Sequence, residues 1–286
     1  MMETLSKKID FVLFFSVKNA NPNGDPLLEN MPRTDYEGFG EVSDVCIKRK
    51  VRNRLQDAGY EIFVQANDRN QDGFKSLEER FNHQFTTKNT AEEIREQACQ
   101  KWIDIRSFGQ VITYQKRSIG IRGPVSISLG RSLDPVTAVT MQITRSTNGM
   151  RATKEGGRSS DTMGSKNLIK FGVYKVCGSM NCYFSEKTGF NDEDANAIKE
   201  ALLSLFENDL SSARPEGSMN VEKIYWFTHP DKLGVASSAK IHDLVKSKKR
   251  AEGEARSCTD YIVSVDADRM ASYKAKGLQL EILEGK

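Results

Sequence analysis

Long apolar runs are missing from this chain of 286 residues. The longest, Ile9 to Val17, is interrupted by Asp10 and Ser16, and a membrane-spanning helix needs about 18 or more apolar residues. No membrane partner is therefore expected. Met1 to Lys8 lacks both an apolar core and a small-residue cleavage site, so no signal peptide is expected either. Cysteine is scarce: Cys46, Cys99, Cys177, Cys182 and Cys258 make an odd count at scattered spacing. That argues against a disulfide framework and for reduced thiols in a cytoplasmic protein. Cys177 and Cys182 have no second Cys/His pair, which argues against a zinc site. Aromatic residues are few, at 8%. Net charge is nearly absent, at +3 from 42 Lys+Arg and 39 Asp+Glu. What remains, 38% hydrophobic and 28% charged residues, excludes wholesale disorder. The length fits one large domain with insertions or two small ones.

The near balance of charge hides segregation. Ser43 to Arg54 carries Lys48, Arg49, Lys50, Arg52 and Arg54 against Asp44 alone. Tyr114 to Arg131 carries Lys116, Arg117, Arg122 and Arg131 and no acid. Arg145 to Lys170 sets Arg145, Arg151, Lys154, Arg158, Lys166 and Lys170 against Glu155 and Asp161. The acid lies elsewhere, with seven acids in Glu186 to Asp209 against Lys187 and Lys199. Such segregation favours one surface that faces a polyanion.

Periodicity supplies the elements. Ile9, Phe11, Leu13, Phe15 and Val17 alternate, which predicts a well-buried strand over 9–18, since Val12 and Phe14 make its other face apolar too. Asn19 to Asp25 is built of turn formers and opens a loop that runs to Glu41. Ser43 caps a predicted helix whose Ile47, Val51, Leu55 and Ala58 recur at helical spacing, with Gly59 as its stop. Strands are predicted at 60–66, 108–114, 121–129, 168–184, 221–228, 261–266 and 277–283. Residues 75–106 read as an inserted helical lobe, 191–210 as an amphipathic helix. The alternating 137–144 predicts an extended hairpin arm, and the Arg, Ser, Thr and Gly content of 150–164 predicts mobility before a ligand arrives. Without insertions the order is strand, helix, strand, strand, helix, strand, the ferredoxin-like order of RNA-recognition folds.

Several local patterns bear on chemistry. The helix after Ser43 turns Arg49 and Asn53 away from its apolar stripe, with Lys48 and Arg52 flanking. A cationic face of this kind suits a phosphate backbone, which Arg and Lys neutralise without reading bases. Asn19, Asn21 and Asn23 present donors for phosphates or sugars, or they build Asx turns. Asp68, Asn70, Asp72, Gly73 and Glu79 match a calcium-loop spacing, but Lys75 takes a normally apolar place and a strand is expected to enter the loop. A turn is the expected outcome. Gly164-Ser165-Lys166-Asn167 lacks the earlier glycine of a nucleotide phosphate loop. His83, His229 and His242 lie in unrelated segments with no nucleophile at matching spacing.

The strand that runs into Asn19-Ala-Asn21-Pro-Asn23-Gly-Asp25, followed by Ser43-Asp44-Val-Cys-Ile-Lys48-Arg49, resembles the repeated backbone subunit of CRISPR Cascade surveillance complexes, in the type I-C branch. Asp104-Ile-Arg-Ser-Phe108-Gly109, Gly120-Ile-Arg122-Gly-Pro-Val125 and Met163-Gly-Ser-Lys166 are similar to further stretches of that family. The likeness runs from about residue 8 to about residue 230 and leaves the last fifty or so unmatched. The resemblance implies an α+β chain: a modified RNA-recognition (ferredoxin-like) palm over 1–286, a helical finger insertion over 65–106 and a thumb hairpin over 131–166. It implies CRISPR guide RNA, target DNA, further copies of itself and other Cascade subunits as partners, with copies stacking along the guide and each thumb flipping out a base. A guide of variable sequence has to be held by its backbone, in keeping with the few aromatics. Together, residues and resemblance nominate Asn19, Asn21, Asn23, Ser43, Lys48, Arg49, Arg52, Arg122, Arg145 and Lys166 as RNA-binding. No catalytic residue, metal or cofactor is expected. The alternative is a metal-dependent ribonuclease that acts on bound RNA through Asp25 or Asp35.

Overall fold

The computed structural model describes residues 3–144 and 163–286. Its centre is β1 (Ile9–Ala20). As the alternation predicts, Ile9, Phe11, Leu13, Phe15 and Val17 enter one core, while Val12 and Phe14 enter another on the opposite face. Asn19 adopts a left-handed φ of 53°, and Ala20 after it returns to the first core. Asn tolerates that conformation better than most residues.

The chain then makes a two-rung ladder of β2 (Gly24–Asp25) and β3 (Met31–Pro32) around a 3-10 turn, followed by β4 (Phe39–Val42). Turn chemistry alone does not predict β4 within this loop. Gly40 allows it to close on the sheet, because the Tyr174 ring occupies the space a side chain there would need. Helix α1 (Asp44–Asp57) starts at Ser43, whose hydroxyl accepts the Cys46 N–H. It buries Ile47, Val51 and Leu55 in the first core and stops before Gly59, at φ 88°.

Residues 60–66 form no strand. Ile62 joins the first core and Phe63 a third one, so the segment bridges two clusters and lies in no sheet. The Phe63 and Val64 N–H groups are taken by the carboxylate of Asp104, at 2.8 and 3.1 Å. The third core belongs to α2 (Leu77–Gln84), α3 (Ala91–Lys101), α4 (Ile103–Phe108) and the hairpin β5 (Gly109–Ile112) and β6 (Ile119–Arg122), with Phe63, Phe81, Phe85, Ile94, Trp102 and Ile112 among its members.

β7 (Val125–Ile127), β8 (Gly130–Pro135), β9 (Ala138–Thr144) and β10 (Met163–Met180) follow, then α5 (Cys182–Thr188), α6 (Asp192–Leu203) and β11 (Met219–Thr228). α6 is shorter than expected. The helix ends at Ser204, whose hydroxyl bonds back to the Glu200 carbonyl, and Asn208 at φ 55° steers Asp209 onto Lys50. The chain closes with α7 (Ser238–His242), β12 (Val245–Lys249), β13 (Tyr261–Val265), α8 (Ala267–Lys274) and β14 (Gln279–Glu284).

The main sheet runs β14-β11-β1-β10-β8-β4, antiparallel at every step. Beside β1, β8, β10 and β11 the main sheet contains β4, before α1, and β14, after β11, and residues 60–66 supply none of its strands. α1 and α6 cover one sheet face. Ile241, Leu244, Val245, Tyr261 and Leu278 cover the other, over Val12, Phe14, Val173, Tyr225 and Phe227. β9 and the first part of β10 pair from Ala138↔Ile169 to Thr144↔Met163 as a projecting hairpin. Arg145 and most of the stretch expected to be mobile, 150–162, lie outside the described residues, while Gly164 to Lys166 lie in this ladder. Among the described residues no helix is long and apolar enough to cross a membrane.

Candidate nucleic-acid interface

The strand-end loop and the N-terminus of α1 are one unit. Asn23 Oδ1 accepts the Ser43 N–H at 2.9 Å, and the Ser43 hydroxyl accepts the Cys46 N–H at 3.2 Å. Asn21 is buried and donates through Nδ2 to the Asn30 carbonyl at 2.6 Å. Of the three asparagines, only Asn19 leaves its side chain exposed. Asn21 and Asn23 thus build the loop, one of the two roles open to them, and Ser43 caps α1 as its position predicts.

The cations of α1 are engaged too. Lys48 pairs with Asp44 at 2.9 Å, Lys50 is buried against Asp209, and Arg54 reaches Asp57 and Glu207. Arg52 meets the fully buried Asp104 at 2.9 Å. Arg49 donates to the Val64 carbonyl at 2.6 Å. The face opposite the apolar stripe is thus half covered, by Val64 at Arg49 and by Asp104 of α4 at Arg52. Burial, then the neighbouring Arg52, pulls the Arg49 pKa below its usual value. Burial likewise lowers that of Lys50, against the pull of Asp209. Lys48 and Arg49 remain partly open, and an ion pair as exposed as Lys48–Asp44 contributes only about 0.3–0.5 kcal/mol, so it exchanges readily for a phosphate.

The remaining predicted residues divide. Phe108 sits between Lys48 and Arg52, with its ring centre 5.9 and 5.1 Å from their charged groups. Gly109, next along, pairs with Arg122, whose exposed guanidinium lies 5.2 Å from the Phe184 ring centre. Lys48 and Arg52 therefore meet at Phe108, with Arg49 on the same helix, while Arg122 lies one strand further on, against α5. Lys166 lies on the hairpin opposite Met141. The hairpin root is tied to the strand-end loop by Asn167 Nδ2 on the Glu29 carbonyl at 2.9 Å, and Thr140 donates to Asn167 at 2.8 Å. Loop, hairpin root and helix start are contiguous. Asp104 is the residue that sequence reasoning missed. It opens the motif stretch 104–109, but a buried acid that serves two backbone N–H groups and an arginine cannot be seen in a linear pattern.

The acids weighed for catalysis are occupied. Asp25 accepts the Leu27 N–H at 3.0 Å and pairs with Arg33 at 3.3 Å. Asp35 accepts the Glu37 and Phe39 N–H groups, both at 2.9 Å, and holds Arg131 at 2.8 Å. In the 68–79 loop, Asp72 holds Arg80 and Glu79 accepts the Lys75 N–H at 2.7 Å. Among the described residues no group of three or more His, Cys, Asp or Glu side chains is arranged to hold a metal.

A model of the family described as CRISPR-associated protein Cas7 matches residues 7–266. The chain belongs to the Cas7 family. A CRISPR-associated protein Cas7 from Haloferax volcanii is 22% identical over 231 residues, 74% of this chain and 67% of that protein. A chain of a solved CRISPR RNA-guided surveillance complex shares the fold at a TM-score of 0.55 and 15% identity, over 98% of this chain and 89% of that one. A chain from a second such complex, pre-nicking, aligns at a TM-score of 0.48 and 14% identity, over 77% of this chain and 75% of that one. The family match runs past the point where the motifs of the sequence thin out, into the segment that covers the second sheet face. In this Cas7 chain that segment packs over Val12, Phe14, Val173, Tyr225 and Phe227.

Proposed function

We propose that this Cas7 chain is a non-catalytic backbone subunit of a Cascade-type surveillance complex: copies of it coat a CRISPR guide RNA as a helical filament and present the guide for pairing with target DNA. The observation that carries the reading is the family match across nearly the whole chain, and the strand-end loop clamped to a cationic helix start supports it. In this reading the main sheet is an RNA-recognition-type palm, 65–106 are the fingers and 131–166 the thumb. Motifs at 19–25, 43–49 and 104–109 favour the type I-C branch. Asn19, Lys48, Arg49, Arg122 and Lys166 face the guide. Asn21, Asn23, Ser43 and Arg52 shape the surface on which it lies. Arg145, outside the described residues, is proposed as a further RNA contact.

The ribonuclease alternative finds no support at Asp25 or Asp35, whose carboxylates hold their own turns. The test is direct. The chain is co-expressed with a CRISPR array, purified, and its nucleic acid extracted. Bound RNA of uniform length is expected, and complementary RNA incubated with the assembly and magnesium should stay intact. A preparation free of RNA, or one that cuts the complementary strand, would overturn the reading.

A further inference from the structure

The C-terminal segment does more than close the sheet. Among the described residues, its strands β12 and β13 pair only with each other, from Val245↔Val265 to Lys249↔Tyr261. Val245, Tyr261, Val263 and Val265 point inward to the second core. The outward face carries Lys246, Lys248 and, one rung beyond, Arg250, opposite Ser264, Ile262 and Asp260. All three cations are exposed. At about 3.3 Å per residue, alternate positions place them about 6.6 Å apart in a straight row. Lys248 has no ion-pair partner among the described residues. Lys246 pairs with Asp243, which Arg269 already holds at 2.8 Å, and Arg250 donates to the Thr259 carbonyl at 2.8 Å. The Asp260 carboxylate is turned away, onto the Arg256 and Ser257 N–H groups at 2.8 and 3.0 Å. In the connecting turn, Glu252 and Glu254 stand against Arg256.

We infer that the outward face of this β12/β13 ribbon is a contact surface for duplex DNA. The row of cations is complementary to a phosphate backbone. A two-stranded ribbon is of a size the major groove of B-form DNA admits, whereas the major groove of an RNA duplex is too narrow and deep. The one aromatic of the ribbon, Tyr261, points inward with its hydroxyl on Asp134 at 2.7 Å, so the outward face offers phosphate contacts and no stacking of bases. With the cations on phosphates, which carry no sequence information, the contact is independent of sequence and of the guide, and separate from the surface proposed for RNA.

The experiment uses the full-length protein as it assembles and a short fluorescent duplex unrelated to any guide. Replacing Lys246, Lys248 and Arg250 together by Ala should weaken duplex binding about tenfold or more at low salt. It should also flatten the slope of log affinity against log salt by about 0.9 for each phosphate left without its cation. The triple Lys246→Arg, Lys248→Arg, Arg250→Lys variant should retain binding. Lys248→Glu, at a position with no partner to lose, repeats the test should the triple variant melt early. Co-purified RNA should stay unchanged in amount and length throughout. If the wild type carries no RNA, the guide-binding reading fails while the duplex measurement still stands. Unchanged duplex affinity and slope would overturn the inference. So would loss of RNA or of assembly mass with duplex binding intact, because the ribbon would then serve the guide or a neighbouring copy.

Discussion

Asn23 and Ser43, 20 residues apart, are joined by a 2.9 Å hydrogen bond from the Ser43 backbone N–H to Asn23 Oδ1. The bond fixes the strand-end loop to the first turn of α1. It also explains why two motifs separate in sequence belong together: one supplies the acceptor and the other the helix start.

Asn23→Ala should therefore act on the helix as much as on the loop. It leaves a partly buried N–H unpaired, which costs about 1–3 kcal/mol, while Asn23→Asp keeps the acceptor. Thermal melting should rank wild type and Asn23→Asp above Asn23→Ala, with RNA retention following the same order. Equal melting of all three would contradict the clamp.

Replacing Lys48 and Arg49 together by Ala should weaken guide binding to a similar degree for unrelated spacer sequences. The salt slope should flatten by about 0.7 for each single-strand phosphate that is no longer neutralised. Filter binding at several salt concentrations measures both. A loss confined to one spacer would mean that bases are being read.

Arg52 behaves differently, because its partner Asp104 is fully buried. Arg52→Ala strands that carboxylate and should cost about 3–5 kcal/mol of stability. Asp104→Ala should destabilise comparably, since the Phe63 and Val64 N–H groups lose their acceptor with it. Denaturant titration checks this. Stable variants that merely bind RNA less well would assign Arg52 to the interface instead.

The C-terminal cover is latched to β1 by a buried polar cluster. His229 Nδ1 accepts the Val235 N–H at 3.0 Å, so Nε2 carries the proton and donates to Asp10 at 2.8 Å. Lys8 and His242 face the same carboxylate at 3.2 and 3.7 Å. Burial alone would raise the Asp10 pKa, but the hydrogen bonds from His229 and Ser238 and the positive charges outweigh it, and the net shift is downward. Its contribution is full above the ordinary value of 3.8 and is lost as pH falls through the lower folded value. His242 is also lowered, by burial first and by Lys175 and Lys8. Its folded form resists protonation, so stability should decline as pH falls below 6.5. Melting followed from neutral to mildly acid pH should show that decline, and His242→Gln should flatten it. An unchanged slope would place the pH response elsewhere.

What the sequence determined by itself was local. The alternation of β1, the Ser43 cap with its apolar stripe, the Gly59 stop and the helical lobe all follow from periods and turn chemistry that act over a few residues. The family motifs were legible for the same reason, since they are contiguous. Tertiary structure decided which charges are free. Asp104 and Asp209, which engage Arg52 and Lys50, lie 52 and 159 residues further along the chain. It also decided that residues 60–66 bridge two cores and that the C-terminal segment closes the second sheet face. Pairing and burial are set by neighbours distant in sequence, and no local period records them.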